Sequence, residues 1–225
     1  MTRTAPAYFP PPDTGLDVRH IDADLLIIDK PSGLLSVPGR GPGMDDNLAS
    51  RVQARYPEAL TVHRLDMATS GLMVMARGPL VQRELSKAFA AREVKKRYIA
   101  VVAGRLAVPP EDWGTIDLPI IGDWPNRPRQ IVDRVLGKPS LTRWRVLAHD
   151  DVTRTTRVEL EPVTGRSHQL RVHLRELGHP ILGDALYAPP DTRGRAERLL
   201  LHAASLRFVH PATGAACAFE SPPPF

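Results

Sequence analysis

Two residues of opposite charge stand two apart in His63-Arg64-Leu65-Asp66-Met67-Ala68-Thr69-Ser70-Gly71, just ahead of a run of small residues. In an extended chain positions i and i+2 point to the same side, so Arg64 and Asp66 would face one space before Thr69-Ser70-Gly71 turns the backbone away. Such an arrangement presents a carboxylate at a strand mouth, where it can act as a nucleophile or take up a proton. Taken alone, the segment fits a plainer role better, an aspartate that caps the turn following it. His168, His173 and His179 are the one cluster worth testing for a metal. No acid or cysteine completes a zinc set there, and His173 is expected to pack on its helix, so no metal is predicted.

The elements that would position these residues follow from periodicity. Residues 1–19 are broken by Pro and Gly and read as an irregular arm, with 20–225 as a single domain. Leu25 to Ile28 has the length of a buried strand, and Lys30-Pro31-Ser32-Gly33 breaks it before a second apolar piece, Leu34 to Val37. Leu48 to Arg55 reads as a short helix and Gly71 to Ala76 as another buried strand. Leu80, Leu85, Ala88 and Phe89 share one side of a helix over 80–91, and strand returns over 97–102. The proline-rich stretch 108–138, with Trp113 and Trp124, reads as a long ordered loop. Strands follow at 141–147 and 157–162. Leu170, Leu174 and Leu177 then mark a helix that Ser167 would cap and Gly178 and Pro180 would end. Strands outnumber helices, which predicts an α+β fold on a mixed, mostly antiparallel sheet.

Bulk properties narrow the class. A chain of 225 residues can bury a core without metals or disulfides, and its one cysteine, Cys217, forms no internal disulfide, as expected of a reducing cytoplasm. No segment reaches the roughly 18 apolar residues of a membrane span, and no signal peptide precedes the Pro10-Pro11-Pro12 run. Thirty basic against 25 acidic residues give +5, with arginine in excess of lysine. That balance suits an anionic partner, although genome composition explains the arginines as well.

Further segments alter the weight given to Asp66. Lys96-Arg97-Tyr98-Ile99-Ala100-Val101-Val102-Ala103-Gly104 and Thr164-Gly165-Arg166-Ser167-His168-Gln169-Leu170-Arg171-Val172-His173 follow the Asp66 run, and Gly178-His179-Pro180-Ile181-Leu182-Gly183-Asp184 and Leu199-Leu200-Leu201-His202-Ala203 come after them. In that order, the chain resembles the RluA family of pseudouridine synthases from about residue 20 almost to its last residue. The loops Lys30 to Arg40 and Asp123-Trp124-Pro125-Asn126-Arg127-Pro128 resemble those of its small dual-specificity members, which modify a 23S rRNA hairpin and a tRNA anticodon loop.

The resemblance implies an isomerase that detaches uracil from ribose and rejoins it through carbon, without cofactor or metal. It makes Asp66 the reactive group, by attack on C1′ or by removal of a ribose proton, and pairs it with Arg166, which could otherwise clamp a phosphate. Arg64 would fill the place of an extruded uridine, Tyr98 would stack on the uracil and assist proton removal at C5, and Leu200 or Leu201 would pack on its face. Without the family, Tyr98 and the two leucines read as core residues. Arg40, Trp124 and Arg127 would grip structured RNA, read by shape and splayed bases, and a monomer is expected. A non-catalytic RNA-binding module and a base-releasing nucleosidase are the rival readings.

Overall fold

The computed structural model describes residues 8–39, 41 and 43–225. Its first strands are β1 (Asp17–Ile21), β2 (Leu25–Lys30), β3 (Ala59–Thr61) and β4 (Ser70–Arg77), with α1 (Leu48–Arg55) before β3. Next come α2 (Pro79–Ala90), β5 (Lys95–Ala103), β6 (Gly114–Asp117), β7 (Ile120–Gly122), a 3₁₀ turn at Trp124–Asn126 and β8 (Gln130–Val132). The remainder is β9 (Leu141–Asp150), β10 (Thr155–Pro162), α3 (Gln169–Glu176), α4 (Pro190–Arg193), β11 (Leu201–Val209) and β12 (Ala216–Glu220).

Ten strands make one sheet in the order β1-β2-β4-β11-β5-β10-β9-β6, with β3 on β4 and β12 on β11. All its pairings are antiparallel except β4 with β11, where Ser70 meets His202 and Gly71 meets Ala203. The α+β expectation therefore holds. The parallel seam depends on Gly71: its φ is +114°, and a Cβ there would lie 2.4 Å from the Ala203 carbonyl oxygen, closer than any side chain tolerates. Alternation along β5 and β11 sends Tyr98, Ala100, Leu201 and Ala203 to one face. Leu170 and Leu174 of α3 cover that face together with Val158, Leu160 and Trp144. Tyr98 also touches a second cluster around Leu26, Ile28, Met73 and Val52, so it sits where two parts of the core meet. Buried Leu and Ile side chains of this kind contribute about 1.5–3 kcal/mol each to the fold.

Several local expectations need correction. The helix at 79–90 faces inward with Val81, Leu85, Ala88 and Phe89, while Leu80 is 75% exposed. Pro79 occupies the start of this helix, and one residue later in the first turn the side chain looks outward. α3 begins at Gln169, not after a Ser167 cap: His168 takes a left-handed conformation (φ 55°) and provides no side-chain cap. The buried Gln169 amide ties the turn instead, accepting from the Thr164 hydroxyl (2.7 Å) and the Arg166 N–H (3.0 Å) and donating to the Leu141 carbonyl and Thr142 hydroxyl. The stretch 108–138 is not all loop, since it contains β6 and the β7–β8 hairpin. β1 takes up residues 17–19 of the expected arm.

Candidate active site

Asp66 opens a tight turn in which its own carbonyl accepts from the Thr69 N–H (3.0 Å). The Lys30–Gly33 turn grips this loop from the side. Gly33 N–H and the Lys30 ammonium both donate to the Met67 carbonyl (2.9 and 3.1 Å), and Ser32 Oγ donates to that of Ala68 (2.7 Å). Lys30 is fully buried and also donates to the carbonyls of Pro31 and Leu34, each at 2.8 Å. Burial pushes its pKa down to about 7, while the charge of Asp66 works in the opposite direction. His63, at the head of the same run, accepts the Val74 N–H (3.1 Å) and stacks on Phe89 of α2 at 4.5 Å. Burial drives its pKa down to about 3, so it is a neutral fastener between α2 and β4.

The backbone thus makes the turn, and the Asp66 side chain is left to other partners. Its Oδ2 accepts from Arg171 Nη1 at 3.3 Å, and its Oδ1 lies 3.9 Å from His168 Nε2. Arg171 is in turn held by Asp184 through two parallel bonds, Nε to Oδ2 at 2.8 Å and Nη2 to Oδ1 at 2.7 Å. Both side chains are almost fully buried, at 5% and 1% exposed. Burial opposes the charge on Arg171, but Asp184 and Asp66 outweigh it and raise its pKa. The Asp184 carboxyl is pushed up by burial and down further by Arg171 and the N–H groups of Leu186 and Tyr187, for a net lowering. A fixed cation therefore stands against one oxygen of a carboxylate that is itself partly open to solvent. A separate cavity of about 910 Å³ is lined by Lys30, Ala68, Ser70 and Arg198 but not by Asp66.

Tyr98 is close enough to Asp66 for that charge to act on its phenol. Burial first, and the nearby Asp66 charge second, push its phenol pKa up, so the ring is a neutral apolar surface with a protonated hydroxyl. Leu201 lies on the Tyr98 face and is 2% exposed, whereas Leu200 precedes the strand, half-buried, its N–H on the Leu182 carbonyl. A charged oxygen, a fixed guanidinium and an aromatic face around one opening can hold a planar base while chemistry proceeds at its attached sugar.

Comparison with known proteins bears on which chemistry this is. The sequence model of the family described as RNA pseudouridylate synthase matches residues 24–176. The chain belongs to that family. Its reaction class is accordingly that of an isomerase. The chain is 50% identical over 219 residues to a Pasteurella multocida protein named dual-specificity RNA pseudouridine synthase RluA, covering 97% of this chain and 98% of that one. Its identity to the Escherichia coli K12 protein of the same name is 49% over 218 residues, with the same coverage. Among solved structures it is similar to human RNA pseudouridylate synthase domain containing 1, at a TM-score of 0.79 and 30% identity over 96% of this chain and 87% of the other. The corresponding values for human domain containing 4 are 0.72, 25%, 92% and 88%.

Within this pseudouridine synthase the expected partner of Asp66 requires correction. Arg166 is exposed and its Nε reaches only the Pro139 carbonyl, at 3.4 Å; Arg171, five residues on, makes the contact with Asp66. The left-handed His168 reverses the chain between them, throwing Arg166 outward and the first turn of α3 inward. Arg64 is exposed beside the turn and, among the described residues, makes no ion pair. Trp124 is 70% exposed, with the Arg127 guanidinium 3.1 Å from its ring centroid, on the far end of the β7–β8 hairpin. Arg40 lies outside the described residues. His173 is fully buried, its ring nitrogens bonded to Thr142 Oγ1 and the Leu118 carbonyl, as packing on its helix requires. His168 bonds Tyr187 and His179 bonds the Ala103 carbonyl, so the three histidines do not converge. Arg171, Asp184 and Lys30 were not among the residues the sequence singled out, and His168 was singled out only as a metal candidate. Arg171 carried a signal: it sits between Leu170 and Leu174, and an arginine on the buried side of a helix must have an anionic partner.

Proposed function

We propose that this chain converts uridine to pseudouridine in both a 23S rRNA hairpin and tRNA anticodon loops, with Asp66 as the reactive group. The observation that carries the chemistry is Asp66 held at one oxygen by a buried arginine, beside the Tyr98 ring. The proposed range of substrates rests on identity of about half, along nearly the full length, to relatives named as dual-specificity synthases.

The reaction breaks the C1′–N1 bond, turns the uracil and forms C1′–C5, with one proton leaving C5 and N1 gaining one. Asp66 supports either attack on C1′ or removal of a ribose proton, since both need a carboxylate fixed in direction with its charge compensated. Arg171 supplies that compensation at Oδ2, and Oδ1 lies 3.9 Å from His168 Nε2. Tyr98 holds the planar base, and its hydroxyl is protonated at rest. Leu201, buried on the same face, backs the Tyr98 ring. The target uridine must leave its stack, and the exposed Arg64, without an ion pair among the described residues, is suited to fill the gap. Trp124 with Arg127 offers a surface for splayed loop bases, and exposed Arg166 a contact for the phosphate backbone. We read residues 20–225 as one catalytic domain acting as a monomer in the cytoplasm; no helix among the described residues is long and apolar enough to cross a membrane.

A base-releasing hydrolase would pair Asp66 with a second free carboxylate. Asp184 is the nearby candidate, yet Arg171 and two backbone N–H groups occupy it. Carbodiimide mapping of pseudouridine in total RNA, from cells with and without the gene, tests the reading. Loss of a mark in both 23S rRNA and tRNA, restored by wild type and not by Asp66→Asn, is expected. An unchanged map would overturn it, and loss confined to one RNA class would overturn the dual range.

A further inference from the structure

We propose that Tyr187 and His168 are positioning residues for Asp66, joined through Gln130 to the Trp124–Arg127 loop, so that one chain of hydrogen bonds runs from the RNA-reading hairpin to the carboxylate. The proposal rests on the reading of Asp66 as the reactive group.

The chain has a direction. Gln130, the first residue of β8, donates its backbone N–H to Tyr187 Oη at 2.8 Å. With that oxygen already accepting, the single Tyr187 hydroxyl proton goes to His168 Nδ1, 2.6 Å away. Acceptance at Nδ1 places the proton of a neutral imidazole on Nε2, the nitrogen 3.9 Å from Asp66 Oδ1. The opposite tautomer would aim a lone pair at a carboxylate. Asp66 is thereby bracketed, with a guanidinium at Oδ2 and an N–H facing Oδ1, and a closure of about 1 Å completes a hydrogen bond at the second oxygen.

Other features point the same way. His168 holds φ 55°, a conformation that costs a β-carbon-bearing residue on the order of 1 kcal/mol, at the point where it turns the imidazole toward Asp66. Tyr187 is 4% exposed, and its ring is packed edge-on to His168 at 5.6 Å, with Arg171 at 5.0 Å and Arg129 at 5.6 Å. The charged groups facing His168 are Asp66, Arg171 and Asp184, and burial together with Arg171 keeps the ring neutral against the two carboxylates. Arg129 and Gln130 continue directly from Pro128 of the hairpin tip, so a shift of the tip on RNA moves the N–H that orients Tyr187.

The test uses single-turnover release of tritium from tRNA transcripts carrying 5-tritiated uridine, across about pH 5.5 to about pH 8.5. Tyr187→Phe keeps the ring and removes only the hydroxyl, and should slow release roughly tenfold to a hundredfold near pH 8, the effect of one hydrogen bond to a charged group. Its deficit should persist as pH falls through the ordinary imidazole value, because burial and Arg171 keep His168 neutral there and no second ring proton replaces the one that Tyr187 orients. His168→Asn tolerates the left-handed backbone but has no imidazole; it should lose as much at every pH, and adding Tyr187→Phe to it should cost nothing more. RNA dissociation constants should stay within about twofold, and the thermal midpoints show that the variants fold. Wild-type rates for Tyr187→Phe, a further loss when it is added to His168→Asn, or a loss found wholly in RNA affinity would each overturn the proposal. Asp66→Asn in the same assay separates the two levels. If it is active, the reading of the site fails; if it is inactive while Tyr187→Phe is unaffected, only the relay fails.

Discussion

Replacing Asp184 by Asn should unsettle both the fold and Asp66, and the size of the effect follows from the geometry. Asparagine keeps the shape and one acceptor oxygen, enough for the N–H groups of Leu186 and Tyr187 at 2.9 and 3.1 Å. It loses the charge and turns an NH₂ toward the Arg171 fork. Removing one member of a buried ion pair costs about 3–5 kcal/mol because the other is left uncompensated. Arg171 retains Asp66 at 3.3 Å, which sets the expectation at the lower end, about 3 kcal/mol, or roughly 6 to 12 °C in a chain of this size. Urea unfolding at pH 7 measures it directly. Acid adds a second check. The native Asp184 pKa is lowered below the ordinary 3.8, so its stabilisation is complete above that value and is lost as pH falls through the lower native one. The gap between wild type and variant should therefore shrink only below about pH 4. A loss under about 1 kcal/mol at pH 7, or a gap that widens on acidification, would refute the account of this pair.

Lys30→Met should strand three carbonyls, including that of Met67 beside Asp66, and cost about 3 kcal/mol or more in urea unfolding. The native lysine gives up its proton near 7 and the unfolded one near 10.5; the unfolded state thus binds more protons between them, and wild type should gain stability over Lys30→Met as pH rises through that window. Gly71→Ala drives a methyl into the Ala203 backbone and should lower the thermal midpoint by about 5 °C or more, the seam between β4 and β11 having no room to yield. Arg64→Ala removes an exposed side chain and should leave stability within about 0.5 kcal/mol, while the single-turnover rate on a stem-loop falls about tenfold or more.

The carboxylate became legible when the Asp66 run was read beside the later motifs, because two charges and a small-residue turn by themselves fit a turn-capping aspartate. Its partner was legible only in part, as an arginine beside the apolar stripe of Leu170 and Leu174. Choosing between Arg166 and Arg171 depends on where α3 starts, and that is decided by a left-handed histidine, a conformation that residue type does not announce. Lys30 was unreadable for a related reason: its three acceptors come from Pro31, Leu34 and Met67, the last 37 residues away, and only the folded loops bring them together. The strands β6, β7 and β8 are three or four residues long, too short for alternation to emerge among the prolines of 108–138. The long strands, by contrast, fell within a residue or two of expectation in β2, β4 and β10, where apolar runs are bounded by turns.

The central claim, that Asp66 drives isomerisation of uridine in RNA, is tested most directly by tritium release from 5-tritiated RNA combined with nucleoside analysis of the product. Forming C1′–C5 expels the C5 hydrogen, so wild type should release one tritium per pseudouridine formed with no free uracil, and Asp66→Asn should bind the RNA with little change and release none. Tritium release by Asp66→Asn at the wild-type rate, or free uracil from the wild-type protein, would contradict the account.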